Sequence, residues 1–487
     1  MSVDAATRTI GNVIGGEERG AASGETIEKF SPATGDLLSR VARSGAEDAG
    51  AAIAAAAAAQ PAWARETPAA RGAVLRRIAQ LLERDADEIA AVVAAETGKS
   101  HKDALGETGG AIEMGYFVAG EGRRLYGKTT TSAIPHRQNL ILRQPLGVAG
   151  LIIAANTPIA NVAWKVFPAL VCGNAAVLKP SEDTPETALT FARLAAEAGL
   201  PPGVLNVVQG LGPEAGQPLV EDRRVAVVSF TGSTAVGRMI ARVGGERLAK
   251  VCLELGGKNP LIVCDDADLE RAADAATLSA YSNAGQRCAA GSRIIVFDSV
   301  YEEFKALLLE LTSAQRVGPG DEHDLGPVIN LRQLEHMLGK VEEARAAGAT
   351  VLAGGERLTG EGRDGGYYMA PTLLEGTDAL SSSELFGPIT TLHRVAGFDE
   401  AVELANDSPY GLTAAIWTAS VHRGQEFVAR VSSGVASVNG PTYGSEPHMP
   451  FGGVRDSGTG WREAGTEAIE VYSDLKTVYV HHDPSLV

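Results

Sequence analysis

Residues 147–155 read GVAGLIIAA, and this continuous apolar run is the first of several in the middle of the chain. The others are NAAVLKP at 174–180, GVLNVVQG at 203–210, VAVVSFTG at 225–232 and NPLIVCDD at 259–266. Stretches with helical spacing separate them. Apolar runs that do not alternate with polar residues, and that stand between helices, are typical of parallel strands buried on both faces. The sequence therefore predicts an α/β fold built on parallel sheets.

Helices and a second series of strands flank these runs. Residues 45–98 are alanine-rich, and apolar side chains recur there at the three- and four-residue steps of amphipathic helices. Beyond Cys288 the runs RIIVF, ATVLAGG, TTLHRV, TAAIWT and ASVNG follow, with a helical stretch at 300–312. We therefore expect two α/β domains, joined near Gly256–Gly257.

Two segments, 128–147 and 470–482, have an extended pattern but belong to neither series. We expect each to form an isolated strand. Because a lone strand leaves backbone N–H and C=O groups unpaired, another subunit could cover it. The chain is therefore expected to form a homo-dimer or homo-tetramer.

Composition argues against several classes of function. The formal charge of −17 is the opposite of the basic surface that nucleic-acid binding requires. The four cysteines stand singly, without the spacing of zinc sites or of a disulfide framework. The chain shows no signal-peptide pattern, and no apolar run reaches the ~20 residues that cross a bilayer. We expect a cytoplasmic protein that acts on a small molecule, without a metal site, a nucleic-acid partner or a membrane partner.

The stretch NAGQRCAAGSR at 283–293 holds the cysteine with the most reactive surroundings. Cys288 lies in a polar, glycine-bounded turn beside Arg287, where a thiolate could be exposed and stabilised. In contrast, Cys172, Cys252 and Cys264 lie in apolar or small-residue runs that are typical of core positions. A nucleophile is one interpretation of Cys288, and a structural cysteine is the other.

Two further polar residues stand where predicted strands end. Glu254 lies between two leucines, where poor solvation would raise the pKa of its carboxyl towards the range of a general base. A solvent-facing glutamate fits the same local pattern. Asn156 precedes Thr-Pro, so it is either a turn former or a donor of its amide N–H to a developing oxyanion.

Two strand-to-helix turns suit a dinucleotide. The sequence KPSE at 179–182 ends one predicted strand, and FTGSTAVG at 230–237 ends another before a helix. Gly232 and Ser233 then lie at a helix N-terminus, where free backbone N–H groups attract phosphate. The glycine spacing differs from GxGxxG, so a plain strand–turn–helix is the alternative.

In this order the motifs resemble the aldehyde dehydrogenase superfamily. The series consists of Asn156, KPSE, FTGSTAVG, LELGGK at 253–258, GQRC at 285–288, ELFGP at 384–388 and PFGG at 450–453. The resemblance covers about residues 25–480. It implies a Rossmann-like parallel-sheet cofactor domain (1–127 and 148–255), an α/β catalytic domain (256–469) and a small β oligomerisation arm (128–147 and 470–487).

The resemblance also implies roles for individual residues. Cys288 corresponds to the nucleophile, Glu254 to the general base, and Asn156 with the backbone N–H of Cys288 to the oxyanion hole. Lys165 and Glu463 resemble a pair that relays protons, and an ordinary helix lysine with a surface glutamate is the alternative. The positions that match the cofactor site are Ile153, Ala155, Lys179, Ser181, Glu182, Phe230, Thr231, Gly232, Ser233, Gly256, Glu384 and Phe386. The positions that match the substrate tunnel are Thr157, Asn161, Trp164, Arg287, Tyr443 and Phe451.

The implied reaction oxidises an aldehyde to a carboxylic acid through a thioester on Cys288, with reduction of NAD or NADP. Glu182 favours NAD, because its carboxylate accepts hydrogen bonds from the 2′-hydroxyl and repels a 2′-phosphate. Lys179 softens that repulsion and leaves dual use open. Arg287 suggests a polar or carboxylate-bearing aldehyde, such as the semialdehyde of a short acid, because a guanidinium holds a carboxylate bidentately. Alternatively, Arg287 only stabilises the thiolate or supports a loop.

Two departures and two rival functions follow from the same comparison. Ala154–Ala155 stands where many relatives have Pro-Trp, and Trp461 alters the approach to Glu463 so that its alignment is open by one position. A CoA-acylating semialdehyde dehydrogenase is one rival, against which an intact hydrolytic base at Glu254 argues. A non-catalytic binding or structural protein of the same fold is the other, and it predicts loss of the reactive residues that this chain retains.

Overall fold

The computed structural model describes residues 8–376, 380 and 383–486. Their strands are β1 Thr9–Ile10, β2 Asn12–Ile14, β3 Glu17–Arg19, β4 Thr26–Phe30, β5 Leu37–Ala42, β6 Lys128–Thr130, β7 Arg137–Pro145, β8 Val148–Ile152, β9 Ala175–Lys179, β10 Leu205–Val207, β11 Val225–Thr231, β12 Lys250–Glu254, β13 Asn259–Val263, β14 Gly291–Phe297, β15 Thr350–Ala353, β16 Thr372–Glu375, β17 Ile389–Val395, β18 Thr413–Trp417, β19 Val435–Val438 and β20 Ser473–His481. Their α-helices are α1 Ala46–Arg65, α2 Pro68–Arg84, α3 Ala86–Thr97, α4 His101–Glu121, α5 Pro158–Val171, α6 Pro185–Glu197, α7 Gln217–Glu221, α8 Thr234–Glu246, α9 Leu269–Tyr281, α10 Tyr301–Ala314, α11 Leu331–Ala346, α12 Phe398–Asn406, α13 Val421–Arg430 and α14 Ala468–Tyr472.

The first large sheet has the strand order β12-β11-β8-β9-β10-β2-β3. The five strands from β12 to β10 run parallel, and β2 and β3 extend the sheet in antiparallel fashion. Strands β8, β9 and β10 are buried along their whole length, which agrees with their continuous apolar sequences. The predicted parallel α/β core is confirmed.

The second large sheet has the order β15-β16-β17-β14-β13-β18-β19, and all its pairs are parallel except β15 with β16. The chain leaves the first sheet at β12 and enters the second at β13. It crosses through residues 255–258, the region of Gly256–Gly257. This turn therefore connects the two large sheets.

The segments 128–147 and 470–482 do not form isolated strands, so that expectation is wrong. Strand β20 pairs with β7 in an antiparallel register that runs from Ser473 opposite Pro145 to His481 opposite Arg137. Strand β6 then pairs with the other edge of β7. The two segments are far apart in sequence, and only the tertiary fold brings them together into a three-stranded sheet. None of the described helices is long and apolar enough to cross a membrane.

Candidate active site

The candidate site lies where neighbouring parallel strands of the first sheet end and the second α/β unit begins. Strands β12, β11 and β8 are adjacent, so their carboxyl ends place Glu254, Thr231 and the turn at Asn156 at one edge of the sheet. Ligand sites of open α/β sheets occur at such edges. Cys288 comes from the opposite side, in the loop between α9 and β14.

A cavity of about 780 Å³ occupies this junction. The predicted site residues that line it are Asn156, Thr157, Asn161, Trp164, Thr231, Gly232, Ser233, Glu254, Gly256, Arg287, Cys288, Glu384, Phe386, Tyr443, Phe451 and Glu463. The predicted residues that do not line it are Ile153, Ala155, Lys165, Lys179, Ser181, Glu182 and Phe230. The structure therefore brings the reactive and substrate-side residues together, whereas the residues expected at the adenosine end lie outside the cavity.

The loop that carries Cys288 has an unusual backbone. Asn283, Ala284 and Gly285 are consecutive residues with φ of 56°, 52° and 66°, and such left-handed geometry costs a non-glycine residue roughly 1–2 kcal/mol. A Cβ on Gly285 would lie 2.1 Å from the carbonyl oxygen of Gly387, so this position requires glycine. The surrounding fold holds a strained loop in place, as is common at functional sites.

Burial raises the pKa of the Cys288 thiol well above its usual value, and the negative charges of Glu254 and Glu384 raise it further. The Nε of Arg287 donates to Ser282 Oγ at 3.2 Å, and the Arg287 guanidinium lies 4.7 Å from the ring centre of Tyr443. The guanidinium thus contacts Ser282 and Tyr443, and the stabilisation of a thiolate by Arg287 stays a prediction.

Glu254 is the nearest candidate for a base. It is 4% exposed, and its Oε1 has no hydrogen-bond partner among the described residues. Burial raises the pKa of its carboxyl to about 8, with a further increase from Glu463 and a partial decrease from Lys165. Of the two interpretations that the sequence left open, the poorly solvated carboxylate is the one observed.

Lys165 and Glu463 form a buried ion pair next to Glu254. Lys165 Nζ donates to Glu463 Oε1, and their side chains are 0% and 6% exposed. The alternative of a surface glutamate is therefore wrong. The backbone of Glu463 pairs with Phe451 through two 2.7 Å hydrogen bonds.

Asn156 links the first sheet to the loop of Cys288. Its Nδ2 donates to the carbonyl oxygen of Gln286 at 3.1 Å, and Asn161 Nδ2 donates to Asn156 Oδ1 at 3.4 Å. The amide nitrogen therefore faces the Cys288 loop. An amide has a second N–H, which is the donor that an oxyanion would need.

A buried ion pair that no sequence motif indicates supports Asn156. Lys99 Nζ lies 2.6 Å from Glu107 Oε2 and also donates to the carbonyl oxygen of Asn156 at 2.8 Å. Glu107 Oε1 accepts from the backbone N–H of Ile159 at 3.0 Å, in the first turn of α5. Lys99 and Glu107 both line the cavity. Their importance depends on a tertiary contact with the turn after β8, so no local motif marks them.

Several features suit a dinucleotide. Lys179 ends β9 with a buried ammonium, and its contact with Glu182 Oε2 is long, at 3.5 Å, so it has hydrogen-bonding capacity to spare. Gly232 and Ser233 precede α8, as predicted, and line the cavity; the first-turn N–H groups of a helix have no partner within the helix and attract phosphate. Thr231 Oγ1 is buried without a partner among the described residues.

The turn between the two sheets passes close to a third carboxylate. Glu384 Oε1 accepts from the backbone N–H of Gly257 at 3.0 Å, and a Cβ on Gly256 would lie 2.2 Å from Glu384 Oε2. Burial raises the pKa of Glu384 to about 7. Two residues on, Phe386 has φ of 53°, so this loop also carries backbone strain at the cavity.

Comparison with known proteins identifies the family. The model of the aldehyde dehydrogenase family matches residues 19–478. The alpha-ketoglutaric semialdehyde dehydrogenase of Bacillus subtilis is 39% identical, with 99% of this chain and 100% of that protein aligned. The 2,5-dioxopentanoate dehydrogenase of Saccharolobus solfataricus is also 39% identical, over 94% of this chain and 96% of that protein. The crystal structure of betaine aldehyde dehydrogenase from Staphylococcus aureus in complex with NAD+ superposes with a TM-score of 0.95 at 32% identity, covering 98% of this chain and 95% of that one. The chain belongs to the aldehyde dehydrogenase family.

Proposed function

We propose that this protein oxidises a short aldehyde that carries a carboxylate, such as 2,5-dioxopentanoate, to the corresponding acid, with NAD as the electron acceptor. The observation that carries the proposal is Arg287, a cation in the cavity wall next to Cys288. The names of relatives that are 39% identical support an α-keto acid semialdehyde in particular.

The surroundings of Arg287 favour a role in binding. Its contacts are a hydroxyl, Ser282, and an aromatic ring, Tyr443, and it forms no ion pair with a carboxylate among the described residues. A guanidinium that is fixed at one nitrogen and stacked on a ring keeps its remaining N–H groups for an incoming anion. The rest of the cavity wall includes two aromatic side chains, Trp164 and Phe451. Their ring centres lie 5.5 Å apart in an edge-to-face arrangement.

The residues present fit NAD. Lys179 and Glu182 would hold the adenosine ribose, the N–H groups at Gly232 and Ser233 the pyrophosphate, and Glu384 the nicotinamide ribose. Bound NAD supplies the hydride acceptor that converts a thiohemiacetal on Cys288 into a thioester. The carboxylate of Glu182 favours NAD over NADP because it repels a 2′-phosphate.

The chain's own residues account for the first half of the reaction. Glu254 takes the proton of the Cys288 thiol, which lies within its hydrogen-bonding reach. The sulfur then attacks the aldehyde carbon, and the oxygen becomes an oxyanion held by Asn156 Nδ2–H and by the backbone N–H of Cys288.

The second half requires the same carboxylate again. Glu254 removes a proton from water, and the resulting hydroxide attacks the thioester, which releases the acid and returns the electron pair to sulfur. Because Glu254 accepts a proton twice in one turnover, it must pass a proton on between the two steps. The buried pair of Lys165 and Glu463 is the adjacent group that can receive it.

The proposal is tested with matched substrates. We expect Arg287→Ala to lower kcat/KM for 2,5-dioxopentanoate by about 10- to 100-fold, the loss expected for hydrogen bonds to a charged group. The kcat/KM for pentanal, which has no carboxylate, should change little. Arg271→Ala removes an exposed cation of α9 and controls for the change in net charge. Equal losses for both aldehydes in Arg287→Ala would contradict carboxylate recognition.

We further propose that the protein is a homo-oligomer that buries the outer face of the three-stranded sheet. Leu475 and Tyr479 lie on the same face of that sheet and are 60% and 57% exposed. Clustered apolar side chains on an open sheet are typical of subunit contacts. The cytoplasmic location inferred from the sequence stays a prediction.

A further inference from the structure

A group of buried hydroxyls lies behind the pair of Lys165 and Glu463. Lys165 Nζ donates to Ser229 Oγ at 2.9 Å, and Ser229 Oγ donates to Glu463 Oε1 at 3.1 Å. Ser229 is 0% exposed. The hydroxyl therefore contacts the ammonium and the carboxylate at once, and Ser229 does not line the cavity.

Tyr472, the last residue of α14, closes the same group. Its side chain is fully buried, and its hydroxyl lies close to Ser229 and faces the charge of Glu463. That hydroxyl makes no hydrogen bond of ordinary geometry with any described residue. A buried O–H without a partner costs ~1–3 kcal/mol, so a small rotation that lets it donate to a neighbouring carboxylate would be favourable.

The net charge of the buried group around Lys165 and Glu463 changes when Glu254 ionises, and a hydrogen-bond donor is needed at that point. The titratable groups that face the pair are Glu254 and Cys252 of β12 and Tyr472 of α14, and Cys172 faces Tyr472 from the other side. With Glu254 protonated, Lys165 and Glu463 neutralise one another. When Glu254 ionises to act as a base, the buried group holds two carboxylates and one ammonium, an excess negative charge that only hydrogen-bond donors can stabilise there.

We propose that Ser229 and Tyr472 are positioning residues of the hydrolytic step: the Ser229 hydroxyl holds the Lys165–Glu463 pair, and the unpaired Tyr472 hydroxyl turns to donate to the excess negative charge, so that Glu254 can take a proton from water. This inference rests on the proposed function for its reaction, but not on the identity of the substrate. Neither residue contacts the aldehyde, since neither lines the cavity.

The test measures the acyl-enzyme directly. Wild type, Tyr472→Phe and Ser229→Ala are mixed with NAD+ and excess butanal, quenched in acid during steady turnover, and weighed by intact-protein mass spectrometry. We expect both variants to accumulate more acyl-enzyme than wild type at pH 7 and to turn over about tenfold more slowly. The burst of NADH, which precedes hydrolysis, should keep its stoichiometric amplitude. In Tyr472→Phe the rise of kcat with pH should occur at a pH about one unit higher than in wild type. The reason is that the ionised carboxylates lose a hydrogen-bond donor, which raises the pKa at which they ionise.

Two variants control for the loss of a buried hydroxyl elsewhere. Tyr368→Phe and Ser44→Ala remove buried hydroxyls that bind Ala33 O and Asn12 Oδ1, and both should behave as wild type. The proposal is overturned if either test variant keeps the acyl-enzyme fraction of wild type, or if the controls show the same increase. Failure of the proposed function looks different: wild type itself would then form no NADH from any aldehyde.

Discussion

The side-chain amide of Asn156 donates a 3.1 Å hydrogen bond to the carbonyl oxygen of Gln286, two residues before the candidate nucleophile. This contact joins the turn after β8 to the loop of Cys288, which comes from the other α/β unit. The oxyanion site is therefore assembled across the junction of the two sheets, and its geometry depends on both.

Asn156→Ala should remove one oxyanion donor. We expect kcat to fall by ~10²–10³, the range for a single donor of this kind, with a much smaller change in KM. The rate of the NADH burst is the measurement, because the oxyanion forms before hydride transfer. An unchanged burst rate would show that the amide serves only to hold the Gln286 loop.

The ion pair of Lys99 and Glu107 should stabilise the folded protein around Asn156. Both side chains are 6% exposed, so Lys99→Met leaves an unpaired buried carboxylate, which costs about 3–5 kcal/mol. The double variant Lys99→Met/Glu107→Leu should recover part of this loss. Urea unfolding of the single and double variants measures the coupling, and simple additivity of the two single effects would contradict it.

Much of the fold was predictable because its strands are buried on both faces. The runs at β8, β9 and β11 are continuous apolar stretches, and the helices over 46–97 have helical periodicity. The local pattern did not predict the pairing of β7 with β20, since it joins residues more than 300 positions apart through backbone hydrogen bonds; only the resemblance to a family assigned both segments to one β arm. Strands β1, β4 and β5 near the N-terminus are short and partly exposed. Because of this, their sequences have no clear hydrophobic periodicity, and the sequence did not predict them.

The site shows the same division. Its reactive residues were identified from ordered motifs and their resemblance to a family. The raised pKa of the Cys288 thiol was not predicted. It results from burial and from the charges of Glu254 and Glu384, which are distant from Cys288 in sequence. Lys99, Ser229 and Tyr472 support the site only through contacts with residues that are distant in sequence, so no local pattern marks them.

Glu182→Gln should weaken the preference for NAD. Removing the carboxylate removes its repulsion of a 2′-phosphate, and the buried ammonium of Lys179 would remain beside it. We expect the ratio of kcat/KM for NADP+ to that for NAD+ to rise by about tenfold. If that ratio is the same in wild type and variant, Glu182 does not discriminate between the cofactors.

The three-stranded sheet should carry the subunit contact. A charge on an apolar interface position is costly to bury, so Leu475→Asp combined with Tyr479→Asp should yield smaller particles than wild type. Light scattering after size-exclusion chromatography measures the mass. A charge placed on the exposed face of another element, as in Val421→Asp of α13, should leave the mass unchanged. A wild-type protein that elutes as a monomer would contradict the proposal.

The pH dependence of turnover should follow Glu254. Its pKa of about 8 means that the carboxylate, which is the form that accepts a proton, is lost as the pH falls below that value. We expect kcat to rise through about pH 8 in wild type. Glu254→Gln should abolish this limb, and a limb that persists in the variant would assign it to another group.

The most direct test of the thioester mechanism is the mass of acid-quenched Glu254→Gln after it has been mixed with NAD+ and 2,5-dioxopentanoate. Because Glu254 also takes the thiol proton, we predict a burst of NADH that is stoichiometric but slower than in wild type, followed by almost no turnover, and an acyl group on the peptide that contains Cys288. Cys288→Ala should show neither the burst nor the acyl group. NADH formation without any acylated peptide, or turnover that survives in Cys288→Ala, would contradict the account.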